Sequence, residues 1–291
     1  MATRKTRTPT SPAAADKAAK PLAERTPVVK TATRKAAAKD PRAARVAARQ
    51  RRLQDQEKAK DARAAKKATK KTATQAGARR QPEAMPAQQL AKPGHEHELE
   101  LAPRFLAPDY TGSGKLQGMR AIVTGGDSGI GRAVAIAFAR EGADVVISYL
   151  PSEERDGRAV LDILDAAGVN AFAVVGDISD EAFCQQLVQQ TADKLGGIDI
   201  LVNNAGKQQF VAELADLSTE QFKQTYATNV FAMFWITKAA LAHMPAGASI
   251  INTTSIQSYQ PSPGLLDYAS SKSAITGFTK SLAKMLIKKG I

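Results

Sequence analysis

Residues 124–132 read TGGDSGIGR and follow directly on a short apolar strand, predicted over Arg120–Thr124. Gly125 permits a tight turn from strand to helix, Gly129 lets the backbone approach a pyrophosphate, and Gly131 allows the next helix to pack closely on the strand. The free N–H groups at the N-terminus of that helix favour a bound anion. A plain tight turn is the alternative, but strand, loop and helix in this order favour a nucleotide-binding loop.

Beyond this loop, apolar runs of strand length alternate with segments of helical pattern. The first helix is expected to face the sheet with Ala133, Val134, Ala137 and Phe138. Further strands are predicted over 144–149, 171–175, 198–203 and 248–254, and further helices over 153–167, 180–195, 218–242 and 268–289, the third with a break near Thr228. The alternation predicts an α/β fold with a doubly wound parallel sheet, a single Rossmann-type domain.

Charge is divided unevenly along the 291 residues. The first 92 carry 25 basic and 7 acidic residues, a net charge of +18, whereas the remainder carries 16 and 21, a net charge of −5. Residues 1–95 lack aromatic side chains and cannot bury enough apolar surface to offset the entropy of ordering, which predicts a disordered, basic tail rich in Ala, Lys and Arg. We expect a linker and lead-in over 96–118 and the folded domain over 119–291.

Two interpretations of the tail remain open. Dispersed lysine and arginine side chains can bind the phosphates of a nucleic acid or an anionic surface by releasing counterions. A solubilising extension fits better, because the tail has neither base-reading motifs nor aromatic residues on which bases could stack. We therefore expect at most a weak nucleic-acid contact through the tail.

Composition excludes several other classes of protein. The single cysteine, Cys184, rules out an internal disulfide and a multi-cysteine metal site, and His95 and His97 without further ligands are interpreted as linker, so no metal is expected. No apolar run is long enough to span a bilayer. With one cysteine, nothing points to an oxidising compartment, which predicts a cytoplasmic location. The N-terminus lacks a secretory apolar stretch, and an organellar address is less favoured because the basic bias extends too far. TGSGKL at 111–116 lacks the spacing of a phosphate-binding P-loop and predicts a turn.

Several motifs together resemble those of the short-chain dehydrogenase/reductase family. TG-x3-G-x-G at 124–131, NNAG at 203–206, and Tyr268-x3-Lys272 with Ser255 thirteen residues upstream occur in the family's order. GGDSGIG at 125–131 and YQPSP at 259–263 are similar to the bacterial general-stress-protein-like subgroup. The resemblance implies hydride transfer between a nicotinamide cofactor and the carbonyl or alcohol carbon of a small substrate.

The spacing of the predicted catalytic group makes chemical sense. Tyr268 and Lys272 are four residues apart and share one helix face, and an ammonium beside a phenol stabilises the phenolate, so Tyr268 can act as general acid/base. Taken alone, such a pair is more often structural. Ser255, at a strand end, would hydrogen-bond the substrate oxygen. The resemblance implies that Lys272 also holds the nicotinamide ribose and that Asn229 braces a water relay to it. The predicted catalytic residues are Asn229, Ser255, Tyr268 and Lys272.

The resemblance also implies a cofactor site. Asp177 with Ile178 would contact the adenine, and the backbone of 203–206 would wall the adenine-ribose side. The predicted cofactor-binding residues are Thr124, Gly125, Asp127, Ser128, Gly129, Ile130, Gly131, Tyr149, Asp177, Ile178, Asn203, Ala205, Gly206, Tyr268 and Lys272.

The choice between the two nicotinamide cofactors depends on the end of the second strand. A carboxylate there favours NAD by bonding the ribose hydroxyl. This chain has Tyr149 at that position, and Arg155 and Arg158 follow, so NADP is favoured over NAD. Glu153 and Glu154 count against that preference.

Family members continue beyond the position of Ile291 into a sixth strand, a substrate-covering loop and a seventh strand. The domain is therefore expected to be truncated before the sixth strand, as a fragment of a longer protein or as an inactive relative. The prediction is an NAD(P)-dependent oxidoreductase acting on a small alcohol or carbonyl substrate. The alternative is nucleic-acid or anionic-surface binding through the tail, with an inactive, cofactor-binding enzyme half. The resemblance implies a homodimer or homotetramer that pairs through helices over 229–242 and 268–289.

Overall fold

The computed structural model describes residues 86–88, 90 and 94–291. The expectations for residues 1–85 fall outside the described residues, and those for 86–95 fall partly outside them. Within the described part of the chain, no helix combines the length and apolarity needed to cross a bilayer.

A five-stranded parallel sheet forms the centre of the domain, in the order β3-β2-β1-β4-β5. The strands are β1 Arg120–Thr124, β2 Asp144–Tyr149, β3 Ala171–Val175, β4 Ile200–Asn203 and β5 Ser249–Asn252. The first three have the predicted bounds, and the last two are shorter than predicted. Together with the helices described below, this sheet confirms the predicted doubly wound α/β fold.

Six α-helices connect or follow these strands. They are α1 Gly129–Arg140, α2 Glu154–Ala166, α3 Glu181–Leu195, α4 Thr219–Tyr226, α5 Ala232–Ala240 and α6 Leu266–Leu286. Short 3-10 turns cover Glu96–Glu98, Pro151–Glu153, Leu214–Asp216, Ile256–Ser258, Pro263–Leu265 and Ile287–Lys289.

Two apolar clusters lie on the opposite faces of the sheet. Residues alternate along a strand, so Ile122 contributes to one cluster while Ala121 and Val123 contribute to the other. Helices α1 and α2 cover one face, and α3 and α5 cover the other. Because both faces are covered, the central strands are apolar throughout, which is typical of parallel sheets.

The prediction of which side of α1 packs against the sheet is wrong. The fully buried apolar residues are Ala135, Ile136 and Ala139, whereas the residues expected to face the sheet are only partly buried. Val134 and Phe138 still pack against the core from its margin. Apolar residues on two adjoining sides of this helix make the buried side ambiguous in the sequence.

The break predicted near Thr228 is a wider helical turn instead. Residues Ala227–Phe231 form a π-helix between α4 and α5, so the chain stays helical from Thr219 to Ala240. Such single π turns are often found at functional sites. Here the turn carries Asn229.

The strand order creates a crevice at one edge of the sheet. After β1 the chain moves outward to β2 and β3, and it then returns to place β4 on the other side of β1. The carboxyl ends of β1 and β4 therefore lie at the topological switch point, where doubly wound sheets bind ligands.

Candidate active site

The glycine loop is fixed to the sheet by backbone contacts. The N–H groups of Gly125 and Gly126 donate to the carbonyl oxygen of Ser148, at 2.7 and 3.3 Å. Gly125 has a positive φ of 63°. A Cβ on Gly131 would lie 1.8 Å from the Gly125 carbonyl oxygen, so only glycine allows the helix to approach the loop this closely.

Thr124 joins the ends of β1 and β4. Its Oγ1 accepts hydrogen bonds from the backbone N–H groups of Asn204 and Ala205, at 2.9 and 3.1 Å. The Asn204 side chain in turn donates to the carbonyl oxygens of Thr124 and Gly125, at 3.2 and 3.4 Å. The sequence predicted a role for the backbone of residues 203–206 but none for the Asn204 side chain, although its place in the NNAG motif was a signal.

Lys272 is buried, with 3% of its surface exposed. Its Nζ donates to the carbonyl oxygen of Thr253 at 2.8 Å and lies 5.5 Å from the centroid of the Tyr268 ring. Burial penalises the charged amine and lowers the pKa of Lys272 to about 8. The lysine and the tyrosine thus lie side by side on α6, as their spacing predicts.

Asn229 is also buried, with 2% of its surface exposed. Its Oδ1 accepts from the N–H of Lys207 at 2.7 Å, and its Nδ2 donates to the carbonyl oxygen of Lys207 at 3.0 Å and to Oγ of Ser271 at 2.9 Å. The side chain therefore ties the segment after β4 to α6.

Gly206 lies where these side chains meet. A Cβ on this glycine would be 3.5 Å from Oδ1 of Asn229 and 3.5 Å from Nζ of Lys272. The fold thus brings together three of the predicted residues from three segments that are distant in sequence.

Ser255 lies in the segment after β5, two residues beyond the carbonyl group that binds Lys272. Its Oγ accepts from the N–H of Gln257 at 3.2 Å, as the cap of a 3-10 turn. The half-buried hydroxyl keeps its own proton to donate.

The start of α6 is held by Asp267, which sequence reasoning missed. Its Oδ2 accepts from Oγ1 of Thr225 at 2.7 Å and from the Gln221 side chain at 3.2 Å, and its Oδ1 accepts from the N–H of Tyr268 at 2.8 Å. This buried carboxylate fixes the backbone of Tyr268 against α4.

The predicted adenine-side residues are dispersed. Asp177 is exposed and its Oδ1 accepts from the N–H of Ser179 at 2.8 Å, whereas Ile178 is buried in the core. The Asn203 side chain points into the domain, donating to Thr237 at 3.1 Å and to Asn252 at 2.9 Å. Of Asn203, only the backbone is left to face the crevice, and the role of the 203–206 backbone as its wall stays a prediction.

Tyr149 turns beneath α2 and does not face the crevice. It is 4% exposed, and its hydroxyl donates to Glu154 at 3.1 Å. Burial, and then this hydrogen bond, raise the pKa of Tyr149 to about 12. The end of β2 therefore offers neither a carboxylate nor an accessible phenol.

Two carboxyl groups lie close to the glycine loop. Burial raises the pKa of Asp127 and of Glu153, and the negative charge of Asp127 adds to the rise at Glu153. The Glu153 carboxylate accepts from the N–H of Leu150 at 3.0 Å. The negative charge of these acids would count against a phosphate bound beside them.

One contact at the loop was not foreseen. Oε2 of Glu96 accepts from the backbone N–H of Gly129 at 2.6 Å, and the same carboxylate forms an ion pair with Arg132. His97, in the same 3-10 turn as Glu96, contacts the Asp156 carboxylate through Nδ1 at 3.0 Å. In the described residues, no group of three or more His, Cys, Asp or Glu side chains is arranged to hold a metal ion.

A glycine loop at the switch point of a parallel sheet, with a tyrosine beside a buried lysine on a later helix, defines a dinucleotide-binding oxidoreductase. Comparison with known proteins agrees with this class. The chain belongs to the short-chain dehydrogenase family, whose model matches residues 119–291.

The relatives include the uncharacterized oxidoreductase YhxD of Bacillus subtilis, 53% identical over 71% of this chain and 69% of the relative. General stress protein 39 of the same organism is 44% identical over 72% of this chain and 73% of its own length, which confirms the subgroup resemblance. A short-chain dehydrogenase from Burkholderia cenocepacia, solved in complex with NADP, matches with a TM-score of 0.59 and 40% identity over 60% of this chain and 71% of that one.

Proposed function

We propose that the chain transfers hydride between a nicotinamide cofactor and the carbonyl or alcohol carbon of a small substrate, with Tyr268 as general acid/base. The observation that carries the proposal is the buried Nζ of Lys272, 5.5 Å from the centre of the Tyr268 ring at the carboxyl edge of the sheet. The nicotinamide ring supplies or takes up the hydride when the cofactor is bound.

The loop residues fit the pyrophosphate of such a cofactor. The close approach of Gly131 to Gly125 aims the first turn of α1 at the crevice, and the Gly129 N–H already binds a carboxylate of the chain itself. An amide that binds one anion at a helix N-terminus is suited to another. Residues 203–206 would form the opposite wall with their backbone.

Each residue of the catalytic group has a distinct part in the reduction of a carbonyl. The Tyr268 hydroxyl donates its proton to the substrate oxygen, and the Lys272 ammonium stabilises the phenolate that is left. Ser255 donates a hydrogen bond to the same substrate oxygen, where negative charge develops. Asn229 holds the segment after β4 against α6, which keeps Gly206 beside Lys272.

NADP(H) is proposed ahead of NAD(H). Support comes from the missing carboxylate at the end of β2, where Tyr149 is buried, and from the NADP bound to the Burkholderia cenocepacia relative. Arg155 and Arg158 are exposed nearby, although Arg158 is paired with Glu154 at 2.7 Å. Asp127 and Glu153 oppose this preference by their charge.

A homodimer or homotetramer through helices over 229–242 and 268–289 remains a prediction. Phe231 and Phe234 are 46% and 43% exposed on the first of these helices. Weak nucleic-acid binding by the tail and a cytoplasmic location also remain predictions.

The proposal is tested by replacing Tyr268 with phenylalanine. Tyr268→Phe removes the proton donor and keeps the ring beside Lys272, so the rate of NADPH-dependent reduction of a panel of small aldehydes should fall about a hundredfold or more. NADPH binding, followed by nicotinamide fluorescence, should be retained. Tyr259→Phe, at a 66% exposed tyrosine, is the matched control. An unchanged rate in Tyr268→Phe would refute the role of its hydroxyl.

A further inference from the structure

The 3-10 turn Glu96–Glu98 places a buried carboxylate on the glycine loop. Glu96 is 9% exposed, and its Oε2 accepts from the Gly129 N–H at 2.6 Å. The same carboxylate pairs with Arg132 one turn further along α1. This side chain therefore presents an anion to the first turn of α1.

Further contacts hold this turn in place. Nδ1 of His97 lies 3.0 and 3.1 Å from the two carboxylate oxygens of Asp156 on α2. Gln88 donates to the carbonyl oxygen of Glu98 at 2.6 Å and accepts from the N–H of Glu100 at 3.0 Å. The Arg132 guanidinium lies 3.8 Å from the centroid of the Phe105 ring, so the lead-in contacts the same arginine.

We propose that the turn Glu96–Glu98 acts as an internal competitor for the cofactor's pyrophosphate and must leave the glycine loop before a dinucleotide binds. The proposal rests on the proposed function, because it takes the loop to be the cofactor site. An N–H group has one hydrogen to donate, so the carboxylate and a phosphate oxygen compete for Gly129. The negative charge of Glu96 would also repel the phosphates if the turn stayed in place.

The contact should weaken cofactor binding without changing the site itself. When a protein is competent to bind for only a fraction of the time, its apparent dissociation constant rises by the inverse of that fraction. A change that releases the turn should therefore tighten binding. If the turn instead formed one wall of the occupied site, the same change would weaken binding.

Glu96→Gln provides this test in the full chain. The amide keeps the size of the side chain but loses the charge that pairs with Arg132 and the stronger acceptor for Gly129. We expect the dissociation constant for NADPH, measured by nicotinamide fluorescence, to fall about tenfold. Glu98→Gln, an exposed position in the same turn, changes the net charge equally and should leave the constant unchanged. Inorganic pyrophosphate should compete with NADPH more strongly in Glu96→Gln than in the control.

A second measurement follows the turn directly. In the variant Glu98→Cys, a thiol-reactive fluorophore would label the new cysteine in this turn. The chain's single native cysteine, Cys184, is buried and should not react. Saturation with NADPH should lower the fluorescence anisotropy of this label, and Glu96→Gln should lower it without any cofactor.

The outcomes separate the two proposals. If Glu96→Gln bound NADPH no more tightly than wild type, or if NADPH bound without changing the anisotropy of the label, the turn would not be a competitor. The proposed cofactor site would be unaffected by either result. Failure of the wild-type chain and both glutamine variants to bind NADPH would refute the cofactor site, and the competitor with it.

Discussion

Asn229 clamps the backbone of Lys207 from both sides. Its side-chain oxygen accepts from the Lys207 N–H at 2.7 Å, and its amide donates to the Lys207 carbonyl oxygen at 3.0 Å. This pairing fixes the segment after β4 beside Lys272. The π turn that carries Asn229 is thereby tied to the centre of the proposed active site.

Asn229→Ala should therefore cost both stability and activity. The change removes the hydrogen bonds to the half-buried backbone of Lys207 and to Oγ of the buried Ser271, which should lower the free energy of unfolding by about 1–3 kcal/mol. Turnover should fall further than the loss of folded protein explains, because the loop beside Lys272 loses its anchor. Urea unfolding and NADPH-dependent reduction rates check this prediction. The exposed Asn170→Ala is the control, and equal stability of the two variants would refute the clamp.

Thr124→Val tests the connection between β1 and β4. Valine keeps the shape of threonine but cannot accept from the N–H groups of Asn204 and Ala205, so unfolding should be easier by about 1–3 kcal/mol. NADPH binding should weaken as well, because these residues are proposed to wall the crevice. Thr124→Ser keeps the acceptor and should bind NADPH like the wild type. If Thr124→Val bound NADPH as tightly as Thr124→Ser, the Thr124 hydroxyl would not be what connects the ends of β1 and β4 at the crevice.

The carboxyl group of Glu141 should make the stability of the fold depend on pH. Burial alone would raise its pKa, but hydrogen bonds from Tyr110 and from the N–H groups of Lys115 and Ser113 lower the pKa of Glu141 to about 2, from a usual 4.5. A lowered pKa in the folded state contributes stability that is fully present above pH 4.5 and is lost as the pH falls towards 2.

Wild type should accordingly be more stable than Glu141→Gln at pH 7, and the difference should shrink between pH 4.5 and pH 2. Thermal unfolding at a series of pH values measures it. Asp162→Asn, at an exposed carboxylate, makes the same change in charge and is the control. If the difference in stability between wild type and Glu141→Gln stayed constant across this range, the charge of the Glu141 carboxylate would not be what holds residues 111–116.

The sequence predicted the sheet well for a physical reason. The first two strands are buried on both faces and must therefore be apolar, and they stand out as runs such as Ala121–Val123 bounded by polar or glycine residues. The segment 111–116, which contacts Glu141, shows why a P-loop-like pattern alone does not identify a phosphate site. Residues 111–116 wrap a carboxylate of the domain itself, which agrees with the turn that the spacing predicted.

The failures have physical causes too. The face of α1 was wrong because Val134 and Phe138 extend the apolar surface around the helix, so no single stripe identifies the buried side. Asp267 and the side chain of Asn204 were missed because their partners are distant in sequence. Glu96 was missed for the same reason: its contact with Gly129 spans 33 residues and leaves no local pattern.

Titration of the chain with NADPH and with NADH, followed by nicotinamide fluorescence, tests the central claim most directly. The glycine-loop site predicts saturable binding that is tighter for NADPH. Gly129→Asp should abolish it, because a fixed carboxylate would then stand where the pyrophosphate is proposed to bind. No saturable binding by the folded chain, or equal binding by wild type and Gly129→Asp, would contradict the cofactor site and the hydride transfer built on it.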